Sequence, residues 1–309
     1  MMGIGNNQLL KSNMLISEDG KYMLLSNTDH LFSSNNAGAT WTENTSISGV
    51  RDVTISNTGQ YQAFCTYDGY IHTSNNYGVS WNQKASSKLW RRIAMSGNGQ
   101  YLLAGTQNGT DYLQYSNDYG ATWADLTAIG AIDWTDISIS QTGQYQTAVA
   151  DSDYIYTSDD YGVSWTTRTG PGTRTWLSAG MSSSGQYQVA GTNNYYYYYS
   201  SNYGVTWTRN TTAGIKYWRG MDLSNNGEYQ TAAAYTGGIY VSNDYGATWA
   251  IKGVGGSTGA FSVGLSGTGE IQLVGYYNYN PKKSIDYGNN FSTILSSNYW
   301  FYAAVNKII

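Results

Sequence analysis

Short stretches in which apolar and polar residues alternate recur along the chain, and each ends in serine. Counting back from that serine, the apolar positions are Val53 and Ile55, Ile93 and Met95, Ile137 and Ile139, Ala179 and Met181, Met221 and Leu223, and Val263 and Leu265. Small or polar residues stand between them: Asp52 and Thr54, Asp136 and Ser138, Ser178 and Gly180. A period of two belongs to β-strands, whose successive side chains leave opposite faces. No stretch shows the period of an amphipathic helix. One face of each strand is expected to pack between sheets, the other to meet smaller neighbours near an axis.

Each alternating stretch opens a repeat. Its end merges into a first motif, which reads ISEDGKY, ISNTGQY, MSGNGQY, ISQTGQY, MSSSGQY, LSNNGEY and LSGTGEI in chain order. A second motif follows. It reads SSNNAGATW up to Trp41, SNNYGVSW up to Trp81, SNDYGATW up to Trp123 and SDDYGVSW up to Trp165. It continues as SSNYGVTW up to Trp207, SNDYGATW up to Trp249 and SIDYGNNF up to Phe291. The aromatic ends lie 40 residues apart once and then 42 apart five times. In the third repeat, residues 90–96, 101–105, 112–115 and 123–126 read as four strands, joined by turns in which Gly and Asn supply positive φ. Four strands repeated at this period predict propeller blades. The expected fold is all-β: a single seven-bladed β-propeller over residues 1–309, four antiparallel strands per blade, with the second motif between third and fourth strands.

Two segments compete to close the ring. Residues 299–305 carry the first-strand pattern behind Trp300, which aligns with Trp90, Trp134, Trp176 and Trp218; residues 12–17 carry a weaker version. The tryptophan alignment favours a C-terminal strand joining the first repeat.

The second motif, S-x-(D/N)-x-G-x-(T/S)-W, resembles the Asp-box, or BNR repeat, of sialidases, sortilin-type receptors, xyloglucanases and photosystem II assembly factors. The resemblance runs over about residues 10–300, and it implies a fold rather than an activity. Asn36, Asn76 and Asn202 hold the central position in three copies, and Asp118, Asp160, Asp244 and Asp286 in four. A turn tolerates this exchange of amide for carboxylate, whereas an acid catalyst would not. These residues are therefore expected to accept turn N–H groups, with the closing Trp packed into the blade. The Tyr that follows in six copies is expected at a partly exposed turn position, shielding the turn or offering a repeated contact.

In propellers of this kind the resemblance places ligands on the face opposite these turns, at the starts of the first strands. Trp90, Trp134, Trp176, Trp218 and Trp300 stand there, and Arg51, Arg91 and Arg219 occupy the next position in three repeats. Asp111, Asp153, Asn193, Asn194 and the tyrosines 195–199 lie in nearby loops. Aromatic platforms bordered by planar polar groups suit pyranose rings. Tryptophans that recur at a fixed place in the repeat equally suit a plug between blades.

The leading expectation is a non-catalytic binding propeller, carbohydrate-binding or surface-adhesive, with a protein-interaction scaffold as the alternative and a glycoside hydrolase third. Three arginines at equivalent positions fit the carboxylate clamp that the sialidase resemblance implies. The (F/Y)-R-(I/L)-P motif is absent, however, and sialidase propellers have six blades. Asp52, Asp136 and Asp222 are placed to line the channel, yet nothing pairs them as a two-carboxylate hydrolase requires.

Composition narrows the partners to a glycan or a protein. Only 12% of residues are charged, the net charge is −4, and the basic residues are scattered. That leaves no concentrated patch for nucleic acid. The apolar runs are too short to span a bilayer, and the first thirteen residues lack the pattern of a signal peptide, so the compartment stays open. His30 and His72 show no metal-ligand spacing, no cofactor is expected, and Cys65 reads as a buried strand thiol.

Overall fold

The computed structural model describes residues 14–26, 31–37, 39–235, 237–252, 259–276 and 282–293. They form seven four-stranded antiparallel sheets, each with its strands in simple chain order. These are blades 1 to 7, over residues 14–44, 50–88, 90–125, 134–168, 176–209, 218–252 and 260–293. The protein is a seven-bladed β-propeller, and a 3-10 turn at Thr127–Ile129 is the one helical element among the described residues. In blade 3 the strands are Trp90–Met95, Leu102–Thr106, Gln114–Ser116 and Ala124–Asp125, within two residues of the sequence reading. The inner strand of blade 1 is Met14–Ile16, paired with Met23–Ser26. Trp300 and the expected C-terminal strand 299–305 lie outside the described residues.

First strands of consecutive blades lie side by side, and three kinds of contact join them. Backbone bonds come first. The N–H of Glu18 donates to the Asn57 carbonyl, Asn57 to Gly97, Gly97 to Gln141, Gln141 to Ser183, Ser183 to Asn225 and Asn225 to Gly267, all within 2.6–3.0 Å. One peptide from every blade thus joins a chain of hydrogen bonds around the axis. Its six links cover the six junctions from blade 1 to blade 7, and among the described residues no such link runs from Gly267 back to Glu18.

The second contact is aromatic. The Tyr that closes the first motif stacks on the Tyr of the second motif in the next blade, at ring-centroid distances of 4.4–4.9 Å. The pairs are Tyr22–Tyr77, Tyr61–Tyr119, Tyr101–Tyr161, Tyr145–Tyr203, Tyr187–Tyr245 and Tyr229–Tyr287. The motif glycine makes room for this: a Cβ on Gly59 would lie 2.6 Å from Tyr22, and Gly59 has φ +75°. At the seventh junction both tyrosines are missing, because blade 7 carries Ile271 and blade 1 carries Ala37.

The third contact is the core. Trp90, Trp134, Trp176 and Trp218 are all 0% exposed and sit among apolar residues of the preceding blade and their own. Cys65 is likewise buried. Of the second-motif tryptophans, Trp81, Trp123, Trp165, Trp207 and Trp249 pack against the core clusters from the edge, partly buried, while Trp41 is 38% exposed. Their indoles bridge back onto the turn; Trp123 Nε1–H, for example, donates to the Gly120 carbonyl at 3.2 Å. The deepest packing belongs to the inner-strand set.

Candidate functional site at the loop end of the channel

The two motifs share one end of the propeller, since first and third strands run in the same direction. The turns of the second motif are built as their residue types require. Asp118 Oδ1 accepts Ser116 Oγ–H at 2.8 Å and the Thr122 N–H at 2.9 Å, while its Oδ2 accepts the Thr122 hydroxyl at 2.6 Å. Asp160, Asp244 and Asp286 repeat the pattern. Asn36, Asn76 and Asn202 keep the Oδ1 bonds and reverse the last one, donating Nδ2–H to Thr40, Ser80 and Thr206. Partial desolvation pushes Asp118, Asp160 and Asp244 up, but their hydrogen bonds outweigh it and hold them below the usual 3.8. Asp286, bonded first by the Asn290 N–H, falls to about 2. All seven side chains are occupied in the turn.

The acids nearest the axis are occupied as well. Asp52 accepts the N–H of Val53 and, across the junction, that of Ile93, both at 3.0 Å. Asp136 accepts Arg92 Nε–H and the Ala179 N–H of blade 5, both at 3.0 Å. Asp222 accepts Leu223 and Leu265 N–H groups at 2.9 Å. Each carboxylate spends both oxygens on structure; Asp52 and Asp222 each join two blades, and Asp136 joins three. Asp222 also borders a cavity of about 170 Å³ on the axis, together with Thr54, Ser138 and Met181.

The opposite, loop-bearing end is where the sequence placed its binding residues. Trp90, Trp134, Trp176 and Trp218 are fully buried there, the arrangement of the plug between blades that their repetition equally suited. The Nε1–H groups of Trp176 and Trp218 donate to the carbonyls of Asp153 and Tyr195 at 2.8 and 3.1 Å. The residue after each of these positions is the extra one in a β-bulge. The register slips between Val50 and Asp52, between Trp134 and Asp136, and likewise in blades 5, 6 and 7; in blade 3 the slip leaves Arg91 unpaired. A bulge re-aims its side chain. Arg51, Arg91 and Arg219 are thereby brought against the loop residues Tyr67, Asp133 and Tyr235.

The three arginines meet different neighbours. Arg51 stacks on Tyr67 at 4.2 Å. Its Nε is buried with no hydrogen-bond partner, and among the described residues it has no carboxylate. Burial lowers its affinity for the proton. Arg91 pairs with Asp133 at 3.0 Å; desolvation first, then Arg92, brings it down to about 10, while burial raises Asp133. Burial opposes both charges, and their mutual attraction and hydrogen bond offset part of that cost. Arg219 lies over Phe261 at 5.1 Å and Tyr235 at 5.8 Å.

Sequence reasoning missed a second cationic position, two residues before the tryptophan: Lys88, Arg174 and Lys216. Arg174 covers Tyr195 at 4.0 Å and reaches the Tyr198 hydroxyl, and Arg209 covers Tyr196 at 5.2 Å. The tyrosine run is thus partly a core element, with Tyr197 fully buried, and partly a guanidinium stack. Asp153 is taken up by Tyr154 N–H and the Tyr156 hydroxyl, and Asp111 lies 3.5 Å from Lys88. His72 stacks on Phe64, and His30 lies outside the described residues. Among the described residues no group of three His, Cys, Asp or Glu could hold a metal, and no helix is long and apolar enough to cross a membrane.

No protein-family model matches the chain, and neither does any curated protein sequence. Solved structures do match in fold. A GH74 xyloglucanase from Xanthomonas campestris superimposes with a TM-score of 0.70 at 13% identity, over 90% of this chain and 52% of the enzyme. The chain therefore spans about half of that enzyme's length. YCF48 bound to D1 peptide matches at 0.62 and 17% identity, over 85% of this chain and 88% of its own. Hydrazine synthase of Kuenenia stuttgartiensis matches at 0.64 and 12%, over 96% and 99%. At these identities the likeness is one of fold.

Proposed function

We propose that this chain is a non-catalytic binding propeller whose loop end takes a carboxylate-bearing protein segment. The observation that carries the reading is Arg51, a half-buried guanidinium held on Tyr67 with Nε unpartnered. A cation desolvated without a counter-charge gains more than an exposed one when a carboxylate arrives, and the planar fork matches that carboxylate in two bonds. Tyr67, Tyr195 and Tyr196 each carry a guanidinium on one ring face, so cations and aromatic rings are interleaved at this end. The propeller in complex with a peptide lends the reading support as an analogy of fold. Hydrolysis has no comparable support, because both oxygens of Asp52, Asp136 and Asp222 are engaged.

The test is a titration of labelled hexaglutamate and hexaglutamine peptides by fluorescence anisotropy. Hexaglutamate should bind, salt should weaken it, and Arg51→Ala should lower affinity about tenfold or more. Equal affinity for the two peptides, or none for either, would refute the proposal.

A further inference from the structure

At the end opposite the loops, tyrosine is held six times in a conformation it ordinarily avoids. Tyr77, Tyr119, Tyr161, Tyr203, Tyr245 and Tyr287 have φ of 59–65°, where Gly or Asn is the usual occupant. The turn itself does not ask for tyrosine. Ala37 takes the same place in blade 1 at φ 57°, and its N–H still donates to the Lys21 carbonyl at 2.9 Å, as Tyr77 does to Gln60 at 3.1 Å. What is retained is the ring, and each of the six residues stays 36–42% exposed while stacked on the preceding blade. Strain kept in this way collects at binding sites.

A groove of about 530 Å³ opens beside the first stacked pair, bounded by the charged Glu18, Asp19 and Lys21 and by Tyr22, Asn57, Thr58 and Tyr77. The next four junctions repeat the aromatic pair with an uncharged residue where Lys21 stands: Gln60, Gln100, Gln144 and Gln186. The rings also differ from those at the loop end. Among the described residues, Tyr22 is the one clamp tyrosine with a cation over it, Lys21 at 5.0 Å.

A half-exposed phenol ring flanked by amides and hydroxyls matches a neutral pyranose. The sugar's C–H face packs on the ring, and amide N–H and C=O groups take its hydroxyls. We infer that the four junctions that set these rings beside Gln60, Gln100, Gln144 and Gln186 are equivalent, shallow sites for neutral glycans, by which the propeller engages a glycan-bearing surface multivalently; the two outer junctions carry Lys21 and Glu228 at that place. Each site is weak alone, and affinity comes from several copies on one end of the molecule. This second site is independent of the carboxylate site at the loop end.

Calorimetry and saturation-transfer NMR with cellohexaose, maltohexaose, chitohexaose and mannohexaose test it. At least one should bind with more than one site per chain. The triple variant Gln100→Ala, Gln144→Ala, Gln186→Ala leaves the stacked rings intact and should remove three sites without moving the thermal midpoint. Tyr161→Ala, Tyr203→Ala, Tyr245→Ala should remove the same three sites, and Phe at those positions should restore them. If the alanine set fails to fold, the glutamine set decides. No binding by any probe, a stoichiometry of one, or sites untouched by the glutamine set would overturn the inference.

Discussion

The backbone N–H of Ile93 donates to Asp52 Oδ2 at 3.0 Å across the junction of blades 2 and 3. Asp52 Oδ1 holds the Val53 N–H at the same distance, so one buried carboxylate satisfies two peptides on two blades. Asp52→Ala orphans both, at a cost of roughly 2–5 kcal/mol by the usual penalty for buried unsatisfied groups. Asp52→Asn keeps one carbonyl acceptor and should cost less. Denaturant unfolding checks the order, and an alanine variant as stable as the parent would contradict it.

The two sets of tryptophan should respond differently to truncation. Trp218 is fully buried and Trp41 is 38% exposed. Trp218→Ala should cost about 3–5 kcal/mol, the range for large aromatic residues in cores. Trp41→Ala should cost well under half of that. Equal losses in thermal or denaturant unfolding would contradict the assignment.

Much of this fold was legible because its determinants are local. Alternation at Val53 and Ile55, the Gly turns and the Ser–Asx turns each act within a few residues, and all recur seven times or nearly so. The binding end was less legible. A tryptophan at the start of four first strands reads the same whether it faces a ligand or the next blade, and the β-bulge beside it decides which. That bulge is a matter of pairing with the second strand, as Val50 and Asp52 show, and it leaves no mark in the period of the sequence. Arg174 was less legible for a simpler reason: Lys88, Arg174 and Lys216 precede the repeated tryptophan, whereas Arg51, Arg91 and Arg219 mark the position after the first-strand start.

The junction between blades 7 and 1 lacks both the tyrosine pair and, among the described residues, the axial backbone link. Installing the pair with Ala37→Tyr and Ile271→Tyr together should raise stability by about 0.5–1.5 kcal/mol, the worth of one stacked aromatic pair. Either change alone should give less than half of it. Unfolding of the two single variants and the double variant measures the coupling directly. A double variant no more stable than the sum of the singles would show that the rings do not meet.

Acid should weaken the turns in a defined way. Asp118, Asp160, Asp244 and Asp286 titrate lower in the folded protein than their usual 3.8. A depressed carboxylate contributes stability that is complete above its unfolded value and is lost as pH falls through its folded value. The loss therefore runs from about pH 4 downward. Asp→Asn at all four positions, as blades 1, 2 and 5 already have, should flatten the fall in thermal midpoint over that range. An unchanged acid limb would place the loss elsewhere.

The most direct test of the binding account is the arginine Nε–H region of a ¹⁵N NMR spectrum during titration with hexaglutamate. The Arg51 cross-peak, assigned through its loss in Arg51→Lys, should move saturably and lose its response in high salt. A stationary Arg51 signal, while the peptide binds elsewhere or not at all, would contradict a carboxylate site at the loop end.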